Sequence, residues 1–199
     1  MGRLIREIKN DGYYHIVNRG VDRKPTFLDK EDYRSFLNLL TKSCDMYGVR
    51  IIAVTLMPNH FHILSKSVLG KNVSLGMKWL TGVYAQSFNK KHERTGHLWQ
   101  DRFYSKEVRE GRHLGTVWRY VEQNPVRACL VDNPNQWEWS SAHMRNSKHR
   151  LPCLIEPEWW GTKLMKQWWS TELLEPEMLD AVRRSLQRSE LGDAGIDWD

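Results

Sequence analysis

The chain has 199 residues, of which 30 are Lys or Arg and 24 are Asp or Glu, for a formal net charge of +6. An apolar content of 40% is enough for a packed core and excludes wholesale disorder, and no run of about 18 apolar residues is present to span a membrane. Three widely spaced cysteines, Cys44, Cys129 and Cys153, indicate neither a disulfide framework nor a zinc cluster, and a reducing cytoplasm is expected.

The β-formers YYHIVN at 13–18 predict a first strand, closed by the turn Asn18-Arg19-Gly20. Asp29 is a helix cap, and Tyr33, Phe36, Leu37, Leu40 and Cys44 recur at helical spacing until Gly48. VRIIAVTLM at 49–57 and HFHILS at 60–65 predict two strands joined at Pro58-Asn59 as a hairpin. A second helix is predicted over 73–91, with Leu75, Trp79, Val83 and Phe88 as its buried face, broken by Arg94-Thr95-Gly96. RFYSKEV at 102–108 predicts a fourth strand. A third helix follows at 112–124, buried through Leu114, Val117, Trp118 and Val121 and ended by Pro125.

The order β-α-β-β-α-β predicts an α+β fold, a ferredoxin-like split βαβ sandwich with an antiparallel sheet and two helices on one face. Residues 1–134 are read as the main domain. Residues 135–199 are read as a helical extension packing on it, with Trp159, Trp160, Trp168 and Trp169 and a last amphipathic helix near 176–190.

Charge is distributed unevenly. Residues 1–150 carry 25 basic and 14 acidic side chains, whereas residues 151–199 carry 5 and 10. A basic body suits a polyanion. Within 71–130, basic residues interleave with aromatics, the combination that single-stranded nucleic acid requires. The candidate DNA contacts are Arg19, Lys78, Tyr84, Lys90, Lys91, Arg94, Trp99, Arg102, Arg112 and Arg127. Ordinary core packing and a solvated helix face explain part of this stretch equally well.

Two constellations carry chemistry. On a strand, His60 and His62 share a face while Phe61 packs on the other, so two imidazoles stand side by side as candidate metal ligands. On a helix, Tyr120 and Asn124 are i and i+4 and share a face, a nucleophile beside an amide. Each pair taken alone also has a purely structural reading. His15 points to one face of the first strand, either near the same centre or as a structural histidine.

MPNHFHIL at 57–64, GHLWQDRF at 96–103 and YVEQNPVRACLV at 120–131 together resemble the REP-associated tyrosine transposases, single-tyrosine members of the HUH transposases. The resemblance covers roughly 13–145. It implies a divalent metal, Mg²⁺ or Mn²⁺, held by His60, His62 and Asn124, with Tyr120 as nucleophile. Tyr84, with Asn89 five residues on, is the competing assignment, left to packing or DNA contact. The implied activity is cleavage and joining of single-stranded DNA at REP-type hairpins through a 5′-phosphotyrosine, by a monomer or homodimer. A hairpin-binding protein without cleavage is the alternative, and an RNA-binding ferredoxin-like module ranks behind both.

Overall fold

Side-chain alternation along β1 (Tyr13–Arg19) and β3 (His60–Lys66) divides the core in two. The computed structural model describes residues 8–145, 147–148, 150–156 and 174–186. With β2 (Arg50–Met57) and β4 (Tyr104–Val108) these strands form one antiparallel sheet in the order β2-β3-β1-β4. Helices α1 (Lys30–Tyr47), α2 (Gly70–Lys91) and α3 (Arg112–Arg127) are inserted in split βαβ order, so the fold is the ferredoxin-like α+β sandwich that the strand–helix pattern predicts. Helices α4 (Ser141–Arg145) and α5 (Pro176–Leu186) follow. The tryptophans at 159, 160, 168 and 169, and the end of the predicted last helix beyond 186, lie outside the described residues.

One sheet face gives Tyr14, Ile16, Val54, Leu56, Phe61 and Ile63 to a core shared with α1 and α2. The other gives Tyr13, Ile52, Ala53, Leu64 and Val108 to a core shared with α3 and with Val182 and Leu186 of α5. Helices α1 and α2 therefore share a face, and α3 covers the opposite one. Full burial of each such large apolar side chain contributes about 1.5–3 kcal/mol. His15, His60 and His62 belong to the α3 face by alternation.

Local chemistry explains most boundaries. Asp29 caps α1 by accepting from the backbone N–H groups of Glu31 and Asp32, and Gly48 ends it in the left-handed conformation. On α2 the buried stripe is Val73, Met77, Leu80, Tyr84 and Phe88, whereas the predicted Leu75 is exposed. A strict spacing of four from Leu75 through Val83 drifts off the 3.6-residue period, and the true stripe follows it.

Pro125 does not end α3, which runs on to Arg127. The proline removes the N–H that would serve the Val121 carbonyl. Asn124 Nδ2 turns back towards that carbonyl at 3.4 Å and to the Tyr120 carbonyl at 2.9 Å. Beyond the proline, the Ala128 N–H reaches the Asn124 carbonyl at 3.0 Å.

Past α3, the chain returns to the β2 edge. Thr55 bridges Ser140, Ile51 bridges Leu154, and Trp137 Nε1 donates to the Leu56 carbonyl at 2.8 Å. A register shift between Ile51 and Ala53 breaks the β2–β3 ladder. Its backbone is served from α4: Ser141 Oγ accepts from the Val54 N–H at 3.1 Å, and Arg145 donates to the Ile52 carbonyl. Arg145 also pairs with Glu122 of α3, which accepts from Ser141 Oγ at 2.5 Å.

After β1, Gly20 opens a tight turn whose Asp22 and Arg23 both adopt positive φ. A Cβ on Gly20 would stand 2.2 Å from the Lys24 carbonyl oxygen and 2.8 Å from a Thr26 methyl. Gly20→Ala is therefore expected to lower stability by about 1–3 kcal/mol through backbone displacement, read from the urea midpoint at unchanged slope. An unaltered midpoint would show that the turn yields freely.

Candidate functional site

The sheet and α3 bring three histidines and a tyrosine together. His60 and His62 stand on one face of β3, their ring centroids 4.9 Å apart. Tyr120 of α3 stands edge-on to His62 and to His15, its centroid 5.8 Å from that of His62 and 6.0 Å from that of His15. His15 and His62 meet directly, Nε2 to Nδ1, at 2.9 Å. All four side chains are buried.

His60 Nδ1 donates to Asn59 Oδ1 at 2.7 Å, because an amide oxygen can only accept. The lone pair of His60 is thereby placed on Nε2, a buried atom with no hydrogen-bond partner among the described residues. Asn124 lies one turn beyond Tyr120. Its Nδ2 is committed to helix carbonyls, so Oδ1 is the end it can offer a cation. Arg127 closes over Tyr120, its guanidinium carbon 4.4 Å from the ring centroid, and donates to the Tyr120 carbonyl.

Beside His60 an open cleft of about 310 Å³ is lined by Arg19, Arg23, Pro58, Asn59 and Leu130. Arg19 is itself largely buried and reaches Gln100 Oε1 at 3.4 Å. The sequence reading missed Asn59, although it immediately precedes the His-x-His pair, and Arg23, whose place depends on an unusual backbone conformation.

The remaining candidates divide. Lys78, Tyr84, Lys90 and Lys91 are carried by α2, on the opposite sheet face from the histidines. Tyr84 is 1% exposed and its hydroxyl donates to the Thr26 carbonyl at 2.6 Å, so it packs within the core shared with α1 and α2. Burial, and then the charge of Asp32, raise its pKa. Trp99 is committed to packing as well: it lies against Phe36, Phe61 and Tyr84, and its Nε1 donates to the Thr81 carbonyl at 2.9 Å. Arg94 lies over the Phe88 ring. Arg102 precedes β4 and Arg112 opens α3, both exposed.

A second oxygen-rich group, Asp29, Asp32 and His92, has ligand-like spacing. Its cation position is taken by Lys91, whose Nζ lies 2.8 Å from Asp29, 2.9 Å from Glu31 and 3.0 Å from Asp32. Asp29 and Asp32 also accept backbone N–H groups around the start of α1, which gives the group a structural role.

Burial pushes the histidines towards neutrality. His60 falls to about 4 through burial and then the Arg19 charge. His15 falls to about 3 through burial and then His60. His62 lies well below its ordinary value, through burial and then through the repulsion its proton would meet from His60, His15 and Arg127. A pKa depressed on folding means that the unfolded chain binds the proton first. This contribution to stability is complete above the unfolded value near 6.5 and is lost as pH falls towards 4. Between pH 6.5 and 5, above most carboxylate titration, each histidine is expected to remove up to roughly 1.4 kcal/mol per pH unit. Urea unfolding in the presence of a chelator measures this, and a flat profile across that window would contradict it.

The chain matches the family model described as "Transposase IS200 like" over residues 8–124. It is 26% identical over 172 residues to a Haemophilus influenzae protein named among the REP-associated tyrosine transposases, covering 81% of this chain and 94% of that one. Among solved structures, it resembles a REP-associated tyrosine transposase bound to a REP hairpin, with a TM-score of 0.61 at 18% identity, over 79% of this chain and 93% of the other.

Proposed function

Because the chain belongs to the IS200-like transposase family, we propose that it cuts and rejoins single-stranded DNA at the foot of a REP-type hairpin, with Tyr120 as nucleophile. The observation that carries the proposal is the placement of Tyr120, on α3, edge-on to His62 of the His-x-His strand. The hairpin is carried over from the solved relative, whose bound DNA is a REP hairpin. No helix among the described residues is long and apolar enough to cross a membrane.

The donor set fits a divalent cation. His60 offers a buried Nε2 lone pair with no hydrogen-bond partner among the described residues, and Asn124 offers an amide oxygen. His60, His62 and Asn124 would hold Mg²⁺ or Mn²⁺, a mixed nitrogen and oxygen shell compatible with Mn²⁺. When bound, such an ion polarises a non-bridging oxygen of the scissile phosphate.

The protein's own groups account for the rest. The Tyr120 oxygen attacks phosphorus, so an O–P bond forms and the P–O3′ bond breaks. The phenolic proton is released, and the departing 3′ oxygen ends as a hydroxyl. The chain is then joined to the 5′ phosphate. Attack by a 3′ hydroxyl reverses these events and joins strands, and the ester retained on Tyr120 makes nucleotide hydrolysis unnecessary. Arg127, with its guanidinium carbon 4.4 Å from the Tyr120 ring centroid, would favour the negative charge that gathers on the phenolic oxygen. Arg19 and Arg23, along the cleft beside His60, would contact backbone phosphates, which fix register without reading sequence.

The test is incubation with a labelled REP-type hairpin bearing a single-stranded foot, with Mn²⁺. A covalent protein–DNA band on a denaturing gel is expected, absent with chelator and retained in Tyr84→Phe. One observation favours the binding-only alternative: Tyr120 is 2% exposed, beneath Arg127. Tight hairpin binding with no adduct under any metal condition would decide for it.

A further inference from the structure

His60 and His62 are held by different kinds of partner, and the difference has chemical content. Asn59 Oδ1, an obligate acceptor, meets His60 Nδ1 at 2.7 Å and so places the His60 lone pair on Nε2. His62 Nδ1 instead meets the Nε2 of another imidazole, His15, at 2.9 Å. The two ring planes differ by 11° with centroids 5.1 Å apart. That separation matches an in-plane nitrogen-to-nitrogen hydrogen bond, because rings stacked face to face would not bring these edge atoms into line.

A bond between two neutral imidazoles contains one proton, on either nitrogen. If it sits on His15 Nε2, the His62 Nδ1 lone pair is consumed and the remaining His62 proton must occupy Nε2, where it blocks coordination. If it sits on His62 Nδ1, the lone pair is carried by Nε2. His15 is well placed to hold this geometry. It lies on β1, between β3 and β4, is 2% exposed, and has Tyr120 edge-on to its ring.

We propose that His15 is a positioning residue: it accepts the His62 Nδ1–H and so sets the tautomer that leaves His62 Nε2 to a divalent cation. His60 and His62 then present the same nitrogen, each backed by its own acceptor. The His60 setting is fixed by an amide oxygen. The His62 setting can be exchanged, because its partner imidazole can also donate, and the cation selects one arrangement. In that arrangement the His15 proton lies on Nδ1, a buried atom without a hydrogen-bond partner among the described residues. The inference rests on the reading that His60 and His62 hold the metal.

Two variants of the full chain test it. His15→Phe fills the space without an acceptor, and His15→Gln restores an amide oxygen. Free Mn²⁺ measured by electron paramagnetic resonance should show a 10–100-fold loss of affinity in His15→Phe, the usual consequence of removing a partner from a ligating histidine, with recovery in His15→Gln. Long-range ¹⁵N spectra of the wild type with Mg²⁺ should show His62 protonated on Nδ1. Wild-type Mn²⁺ affinity in His15→Phe, or a His62 proton on Nε2 in the Mg²⁺-loaded protein, would overturn the inference. If His15→Phe does not fold, the spectra and the His15→Gln affinity still decide. His62→Ala separates the two layers: retained Mn²⁺ binding there refutes the metal reading itself. Loss there, with none in His15→Phe, refutes only the role of His15.

Discussion

Tyr120→Phe is expected to remove covalent adduct formation and strand cleavage by at least about 10³-fold, since it deletes the attacking atom and nothing else of comparable nucleophilicity stands in its place. The substitution keeps the ring that packs edge-on against His15 and His62 and beneath Arg127. Fold and hairpin affinity should therefore stay close to wild type, which separates lost chemistry from lost structure. Tyr84 cannot substitute, because its hydroxyl is buried and donated to Thr26 on the other side of the sheet. An adduct that persists in Tyr120→Phe would remove Tyr120 from the mechanism.

Glu122→Ala is expected to cost about 3–5 kcal/mol, the scale on which an ion of a buried pair is left uncompensated. The Glu122 and Arg145 side chains are 3% and 10% exposed. Arg145 also reaches the Ile52 carbonyl and lies over the Trp118 ring, 4.5 Å from its centroid. One guanidinium thus joins α3, α4 and the irregular part of β2. Urea unfolding reads the loss. Replacing both ions together, Glu122→Met with Arg145→Leu, should cost clearly less than Glu122→Ala, because no charge is stranded. A single-variant loss below about 1 kcal/mol would show that water already reaches the pair.

The fold was legible wherever local pattern decides structure. The period-two run of β3, the cap at Asp29, the stop at Gly48 and the stripe Leu114, Val117, Trp118, Val121 are all short-range signals, and each structural counterpart is present. The shared faces of His60 with His62, and of Tyr120 with Asn124, follow from strand and helix geometry alone. That those two faces meet does not follow, since it depends on which side of the sheet α3 covers.

What stayed hidden is long-range or depends on a single missing bond. Glu122 read as one acid among many until Arg145, 23 residues on, came to lie against it. His15 was a histidine on a strand, and its partner His62 is 47 residues away. The buried face of α2 was misread because Leu75 is as apolar as its buried neighbours. Basic residues gave a charge but no address: Lys91 answers three acids of its own chain.

The proline inside α3 carries a consequence for ligand identity. Deleting one backbone N–H leaves a carbonyl that only a donor can satisfy, and residue 124 is next to it. An aspartate there would set lone pairs against lone pairs, however well its charge suited a cation. A glutamine would extend the same amide by one more bond and loosen its aim. The two helix carbonyls thus discriminate among side chains: Asn124 Nδ2 takes that of Tyr120 at 2.9 Å and leans towards the orphaned one of Val121 at 3.4 Å, so the oxygen is the end left over.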